Sequence, residues 1–190
     1  KAMEINPNYA DARAFYAGFL YIMGRLGEMR TQMDRVLELD PFNPLFRAMN
    51  GVGLLGERRY AEAIEEMQAA ERTGHPLASN LARAYHLTGN YDEALVHLRT
   101  WYPGDQELEE ALDRGYAEGG YRAALLRYAE TLAARSDAAQ EYSLDLSFIY
   151  AWAGEKERTL DWLELAYEAR NSSLPASLSR AQADLELVHD

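Results

Sequence analysis

Apolar residues recur at i, i+3, i+4 and i+7 through segment after segment of this chain, with polar residues filling the positions between. That is the period of helices buried along one stripe. No parallel-sheet pattern interrupts it. The pattern predicts five helix pairs, over roughly 8–40, 44–73, 76–101, 105–134 and 138–170. A stub at 1–6 ends an earlier unit, and a final helix at about 176–188 closes the stack. Start and stop signals agree. Asn43-Pro44 supplies an N-cap followed by proline at the first helical position. His75-Pro76 is a poorer version of the same signal. Gly89-Asn90 and Gly119-Gly120 suit tight turns inside helical hairpins.

The helices repeat as well as alternate. A small residue or methionine follows each turn, at Met29, Ala63, Ala94, Ala124 and Thr159, spaced by 34, 31, 30 and 35 residues. Four residues later comes a large one: Met33, Met67, Leu98, Tyr128 and Leu163. Twelve residues before it lies a second small column, Ala17, Gly51, Ala82, Leu112 and Ser147. Three further on come Leu20, Leu54, Tyr85, Gly115 and Tyr150. The internal spacings are constant, so length varies only in the connections between units. The fourth unit departs, with Leu112 in the small slot and Gly115 in the large one; its first helix is expected to be short or displaced. A lone helix pair cannot hide its apolar face, so such units stack on one another.

These columns resemble the tetratricopeptide repeat, a unit of about 34 residues with a Leu-Gly-x-x-Tyr…Ala-x-x-x-Phe…Pro pattern. The closest stretch runs from Leu81-Ala82-Arg83-Ala84-Tyr85 to Ala94 and Leu98, and Pro7 and Pro41 stand 34 apart. The resemblance implies an all-α, right-handed superhelical solenoid of about five helix pairs with a C-terminal capping helix, one array over residues 1–190. The segment Gly115–Arg170 further resembles the C-terminal repeats of large prokaryotic signalling and transcriptional regulators. It includes Tyr116-Ala117-Glu118-Gly119-Gly120-Tyr121 and Ala153-Gly154-Glu155-Lys156-Glu157-Arg158-Thr159-Leu160. The start at Lys1-Ala2-Met3-Glu4-Ile5-Asn6-Pro7 reads as the tail of a helix, as in a fragment of a longer protein.

Composition narrows the function. The 31 acidic against 19 basic residues give a net charge of −12. The densest basic pair, Arg58-Arg59, is flanked by Glu57 and Glu62, so nothing offsets repulsion of a nucleic-acid backbone. The chain has no cysteine, which removes disulfides, thiolate metal sites and a cysteine nucleophile, and fits a reducing cytoplasm. No apolar run is long enough to span a bilayer.

Chemical motifs are few. Gly51-Val52-Gly53-Leu54-Leu55-Gly56 spells a dinucleotide-binding fingerprint, which requires a strand before it and a helix opening after it. Here the preceding residues are helical in context, and Gly51 already fills the small packing column. No cofactor is expected. His75, His86, His97 and His189 include no pair four apart, so no metal site is expected and solvated histidines are. The carboxylate pairs Glu141/Asp145 and Glu62/Glu66, with Asp161/Glu164, read as solvated faces rather than acid–base machinery, because nothing in the sequence marks any of them as buried. Asn171-Ser172-Ser173 reads as a helix terminator and loop. An enzyme is not expected.

The resemblance implies that the first helix of each pair lines a concave groove. Helical phase then puts Tyr21, Ile22, Met49, Val52, Asn80, Arg83, His86, Phe148 and Trp152 in it. This mixed apolar lining suits an apolar or amphipathic protein or peptide segment, with Arg83 and Asn80 orienting backbone or carboxylate groups. Repeats of this family that clamp the acidic tails of chaperones use several Lys, Arg and Asn residues. This lining offers only Arg83 and Asn80, which argues against that role. The second expectation is a structural module for self-association, or for regulating a neighbouring domain.

Overall fold

The computed structural model describes Asn6, residues 8–178 and Leu185. Among these residues the chain is all-α, without a strand. They fall into two compact units, one ending at Thr88 and one running from Gly89 to Leu178 with Leu185.

The first unit holds α1 (Ala10–Ile22), α2 (Leu26–Leu39), α3 (Pro44–Gly56), α4 (Tyr60–Arg72) and α5 (Ala78–Leu87). Helix α1 pairs with α2 and α3 with α4; α2 also packs on α3, and α4 on α5. The second unit holds α6 (Tyr91–Trp101), α7 (Gln106–Ala133), α8 (Ala138–Glu141), α9 (Ser143–Trp152), α10 (Lys156–Glu168) and α11 (Leu174–Ser177). Helix α9 packs against both α10 and α7. The division falls inside the predicted third pair. Residues 1–5 of the expected stub, and 179–184 and 186–188 of the expected final helix, lie outside the described residues.

The repeating columns form the core. Every column position is buried except Tyr85, which is half-buried. The turns repeat in their backbone geometry too. Gly24, Arg58, Gly89 and Gly154 each stand five residues before the small column, with φ of 68°, 61°, 73° and 76°. In three of these turns the next N–H reaches back to close the preceding helix: Arg25 donates to Leu20 C=O, Arg59 to Leu54 C=O and Glu155 to Tyr150 C=O, each at 2.9 Å. This is the six-to-one bond of a left-handed helix cap, a position that normally takes glycine. Arg58 occupies it with a β-carbon.

The fourth unit shows why its pattern departs. Helix α7 breaks at Gly119 and Gly120, where φ/ψ are −164°/26° and 69°/−156°. Before the break, Gly115 occupies the large-residue slot because the chain cannot fit more there. A β-carbon on it would lie 2.5 Å from Ala123 O and 2.6 Å from Ala124 Cα. The closest approach of the two helix halves has moved one turn along, from the slot of Leu112 to that of Gly115.

Helix starts agree with the sequence in one case and differ in another. Asn43 caps α3, its Oδ1 accepting from Leu45 N at 3.1 Å and Phe46 N at 3.4 Å, with Pro44 at the first position. Pro76 does not open α5, which begins at Ala78. Neither His75 nor Pro76 offers a capping side chain there. The Leu77 N–H instead donates to Glu71 Oε1 at 3.2 Å.

Candidate functional site

In the first unit a cavity of about 200 Å³ opens among α1, α2, α3 and the connection leading to α5. Small positions meet there: Ala17 and Gly18 on α1, Ala48 and Gly53 on α3. Larger thioether and aliphatic side chains wall it. Met29 and Met33 come from α2, Met49 and Val52 from α3, and Leu77 from the connection. Tyr21 and His75 supply the polar groups, and Leu45, 38% exposed, stands in its lining as well. The wall is therefore thioether and aliphatic, with one phenol and one imidazole.

The predicted groove residues fall in three places. Tyr21, Met49 and Val52 line this cavity together. Ile22 lies one turn along α1 from Gly18 and is 41% exposed, but is not in the lining. Asn80, Arg83 and His86 stand on α5, where Arg83 is only 6% exposed. Phe148 and Trp152 belong to the second unit. Phe148 packs on a cluster of Leu144, Ala151, Leu163, Ala166, Leu174 and Leu185, and Trp152 is buried. Gly18, Met29, Met33, His75 and Leu77 did not emerge from helical phase. The signal for Gly18 and Gly53 was the glycines themselves, small residues inside otherwise well-formed helices.

The second unit carries an aromatic cluster. Trp101 and Trp152 have ring centroids 6.0 Å apart, Trp101 and Tyr102 stack at 6.1 Å, and Tyr102 meets Tyr142 edge-on at 5.4 Å. The Tyr102 hydroxyl donates to Asp145 Oδ2. This corrects the expectation of a solvated face at Glu141/Asp145. Glu141 is exposed, but Asp145 is largely covered, and burial pushes its carboxyl above the usual carboxylate range despite the bond from Tyr102. Burial also raises the Tyr102 phenol, and the neighbouring Asp145 adds to the shift. Nearby, Arg135 pairs with Asp105 at 2.5 Å and stacks over Tyr142 at 5.7 Å. Asp105 also caps α7 through Leu108 N. Burial opposes its ionisation, but these bonds win and hold it below the usual range. The rings touch one another, so the cluster is a packed core.

A charged network ties α2 to α3. Arg30 donates from Nε and Nη2 to the two carboxylate oxygens of Glu57, both at 3.1 Å, and from Nη1 to Asn50 Oδ1 at 2.5 Å. Arg59 joins Glu57 at 3.2 Å and Glu62 at 2.6 Å. Glu66 faces Arg47 at 3.6 Å.

The glycine fingerprint lies wholly inside α3. A β-carbon on Gly51 would stand 2.7 Å from Met67 Cγ, and one on Gly53 2.8 Å from Met29 Cε. Both glycines admit neighbouring methionines. His75, expected to be solvated, is half-buried in the cavity wall, while His189 lies outside the described residues. Among the described residues no group of three His, Cys, Asp or Glu side chains could hold a metal ion, and no helix is long and apolar enough to cross a membrane. Compared with known proteins, the chain matches no family model and no curated protein.

Proposed function

We propose that the chain is a tetratricopeptide-type array, a right-handed superhelical solenoid, that acts without catalysis as a scaffold for a protein or peptide segment. The supporting observation is the apolar cavity walled by Tyr21, Met49 and Val52, at positions where the first helices of consecutive pairs were expected to face a ligand. Its size fits one side chain. Drug-sized ligands fill roughly 300–1,000 Å³, whereas an apolar cavity of about 150 Å³ holds benzene. A leucine, methionine or phenylalanine anchor buried there contributes about 1.5–3 kcal/mol. Micromolar binding corresponds to about 8 kcal/mol, so flanking contacts must supply the rest. Exposed Ile22 lies next along α1, and Leu45 in the lining is itself exposed. Asn80 and Arg83 on α5 are the polar residues assigned to orienting the segment.

The cavity carries its own reporters. Met29, Met33 and Met49 line it, whereas Met67 packs against Gly51 and does not. A peptide selected from a random displayed library is titrated into chain labelled with ¹³C at the methionine methyls. Shifts confined to the three cavity methyls are expected, with binding lost in Gly18→Leu, which plugs the space. Binding that leaves those methyls unmoved, or survives the plug, refutes the proposal. Arg83→Ala with Asn80→Ala should weaken the same peptide.

The alternative, a structural module for self-association within a larger signalling or transcription regulator, draws support from the exposed Phe15, Phe19 and Met23 of α1.

A further inference from the structure

Repeat register compares the cavity with the same place in another unit. Gly18 of α1 corresponds to Phe148 of α9, because each directly follows the small column, at Ala17 and Ser147. The neighbours correspond as well: Tyr21 to Ala151, and Met33 to Leu163. Phe148 packs on the cluster that contains Ala151 and Leu163, completed by Leu174 and Leu185. Tyr21 and Met33 line the cavity, completed by Met49 and Val52. The fifth unit therefore packs a benzyl group at a place where the first unit has a glycine and a cavity. A β-carbon on Gly18 would meet Met49 Cε at 3.5 Å, so the position points at the cavity wall. The intervening units hold Val52, Arg83 and Asp113 in this column, and none of these is a ring.

The wall suits a ring on chemical grounds too. Met29, Met33 and Met49 bring three thioethers to one space. The Met29 Sδ comes within 2.9 Å of where a β-carbon on Gly53 would stand, and Gly53 also lines the cavity. An aromatic ring carries a positive edge, and a polarizable sulfur is attracted to that edge at about 5 Å. An aliphatic side chain gains nothing of this kind. Volume agrees: the cavity holds about 200 Å³, and one of about 150 Å³ accepts benzene, which leaves room for a ring with its methylene. We propose that the anchor entering the cavity is the ring of a phenylalanine, held as the fifth unit holds Phe148. This takes the cavity as the binding site proposed above and names what enters it. The preference is one of wall chemistry, not of shape.

Benzyl alcohol and its saturated counterpart, cyclohexylmethanol, present the two kinds of ring without a peptide. Each is titrated into chain labelled with ¹³C at the methionine and valine methyls. Benzyl alcohol should bind about fivefold or more tightly than cyclohexylmethanol, through three sulfur contacts. It should shift Met29, Met33, Met49 and Val52, which line the cavity, and leave Met67 unmoved. Met29→Leu, Met33→Leu and Met49→Leu together remove the sulfurs at similar volume. Read on Val52, the two affinities should then agree within about twofold. Helicity by circular dichroism checks that this variant folds, and Met49→Leu alone should lower the ratio about twofold. Gly18→Phe supplies the ring from the chain itself. It should shift the three cavity methionine methyls without ligand and abolish benzyl alcohol binding. Equal or weaker binding of benzyl alcohol, binding of neither alcohol, a preference that survives the leucines, or a Gly18→Phe chain that still takes benzyl alcohol overturns the proposal. Failure of the scaffold reading looks different: the cavity selects the aromatic ring, yet no library peptide shifts its methyls. Peptides that do shift them should lose about fivefold when cyclohexylalanine replaces their phenylalanine; unchanged affinity overturns the ring preference and leaves the scaffold reading standing.

Discussion

The two halves of α7 approach so closely at Gly115 that adding one methyl group there should unfold the second unit more easily, against the local preference of the helix. Alanine is favoured over glycine in a helix interior by about 1 kcal/mol. Non-bonded carbon atoms sit best about 3.5–4.0 Å apart, but the new β-carbon would stand 2.5 Å from Ala123 O and 2.6 Å from Ala124 Cα. Those are backbone atoms, which no rotamer change can withdraw. The halves must separate by about 1 Å, and such overpacking costs about 1–3 kcal/mol. Buried Leu112 and Tyr128 lose contact as they part, so the net loss for Gly115→Ala is set at roughly 1–2 kcal/mol after the helix preference is credited. The contrasting case, followed by circular dichroism because it lies in the first unit, is Gly18→Ala, whose β-carbon meets only Met49 Cε at an ordinary 3.5 Å. It should keep a gain of about 0.5–1 kcal/mol. All three tryptophans, Trp101, Trp152 and Trp162, belong to the second unit, so urea unfolding followed by their fluorescence reads that unit. With a denaturant slope of about 2 kcal/mol/M, the midpoint of Gly115→Ala should fall by roughly 0.5–1 M. A midpoint equal to or above that of the wild type, at unchanged slope, refutes the close approach.

Three further outcomes are expected. Arg58→Gly should raise the urea midpoint of the first unit, followed by circular dichroism, by the equivalent of about 1 kcal/mol, because a β-carbon in the left-handed region is disfavoured by about 1–2 kcal/mol. Arg30→Ala should lower it by about 1.5–3 kcal/mol, since half-buried Glu57 and buried Asn50 lose a charged donor. Asp145→Asn should change the pH dependence of melting. The raised carboxyl of Asp145 binds its proton more tightly in the fold than in the unfolded chain. Its ionisation therefore adds no penalty below the ordinary carboxylate range, where both states are protonated, and a full penalty above the raised value. The asparagine variant, which still accepts from Tyr102, should melt with the wild type near pH 3 and above it at pH 7; equal melting at both refutes the burial argument.

Helix pairs and core columns were legible because their cause is local. Ala63, Ala94 and Ala124 must be small wherever two helices cross, and a fixed spacing follows from that. The turn before Tyr60 was legible in the same way, but its left-handed residue, Arg58, shows only in the backbone angles it shares with Gly24, Gly89 and Gly154. Gly115 was not, because the choice between two crossing points one turn apart depends on how the partner helix lies. Asp145 was missed for a related reason. Four residues from exposed Glu141 it reads as surface, and its hydrogen-bond partner Tyr102 lies 43 residues away. Helical phase found Tyr21, Met49 and Val52 but not the walls from α2, since a cavity is what several small residues jointly fail to fill.

Three methionines in one wall give the cavity a compliant lining. Each thioether turns about three bonds with little energetic preference, so the space can be reshaped without moving a helix axis. A rigid pocket separates guests differing by one methylene by about 10–200-fold. A wall that rearranges around its guest discriminates less sharply, and sequence selectivity then has to come from residues on either side of the anchor.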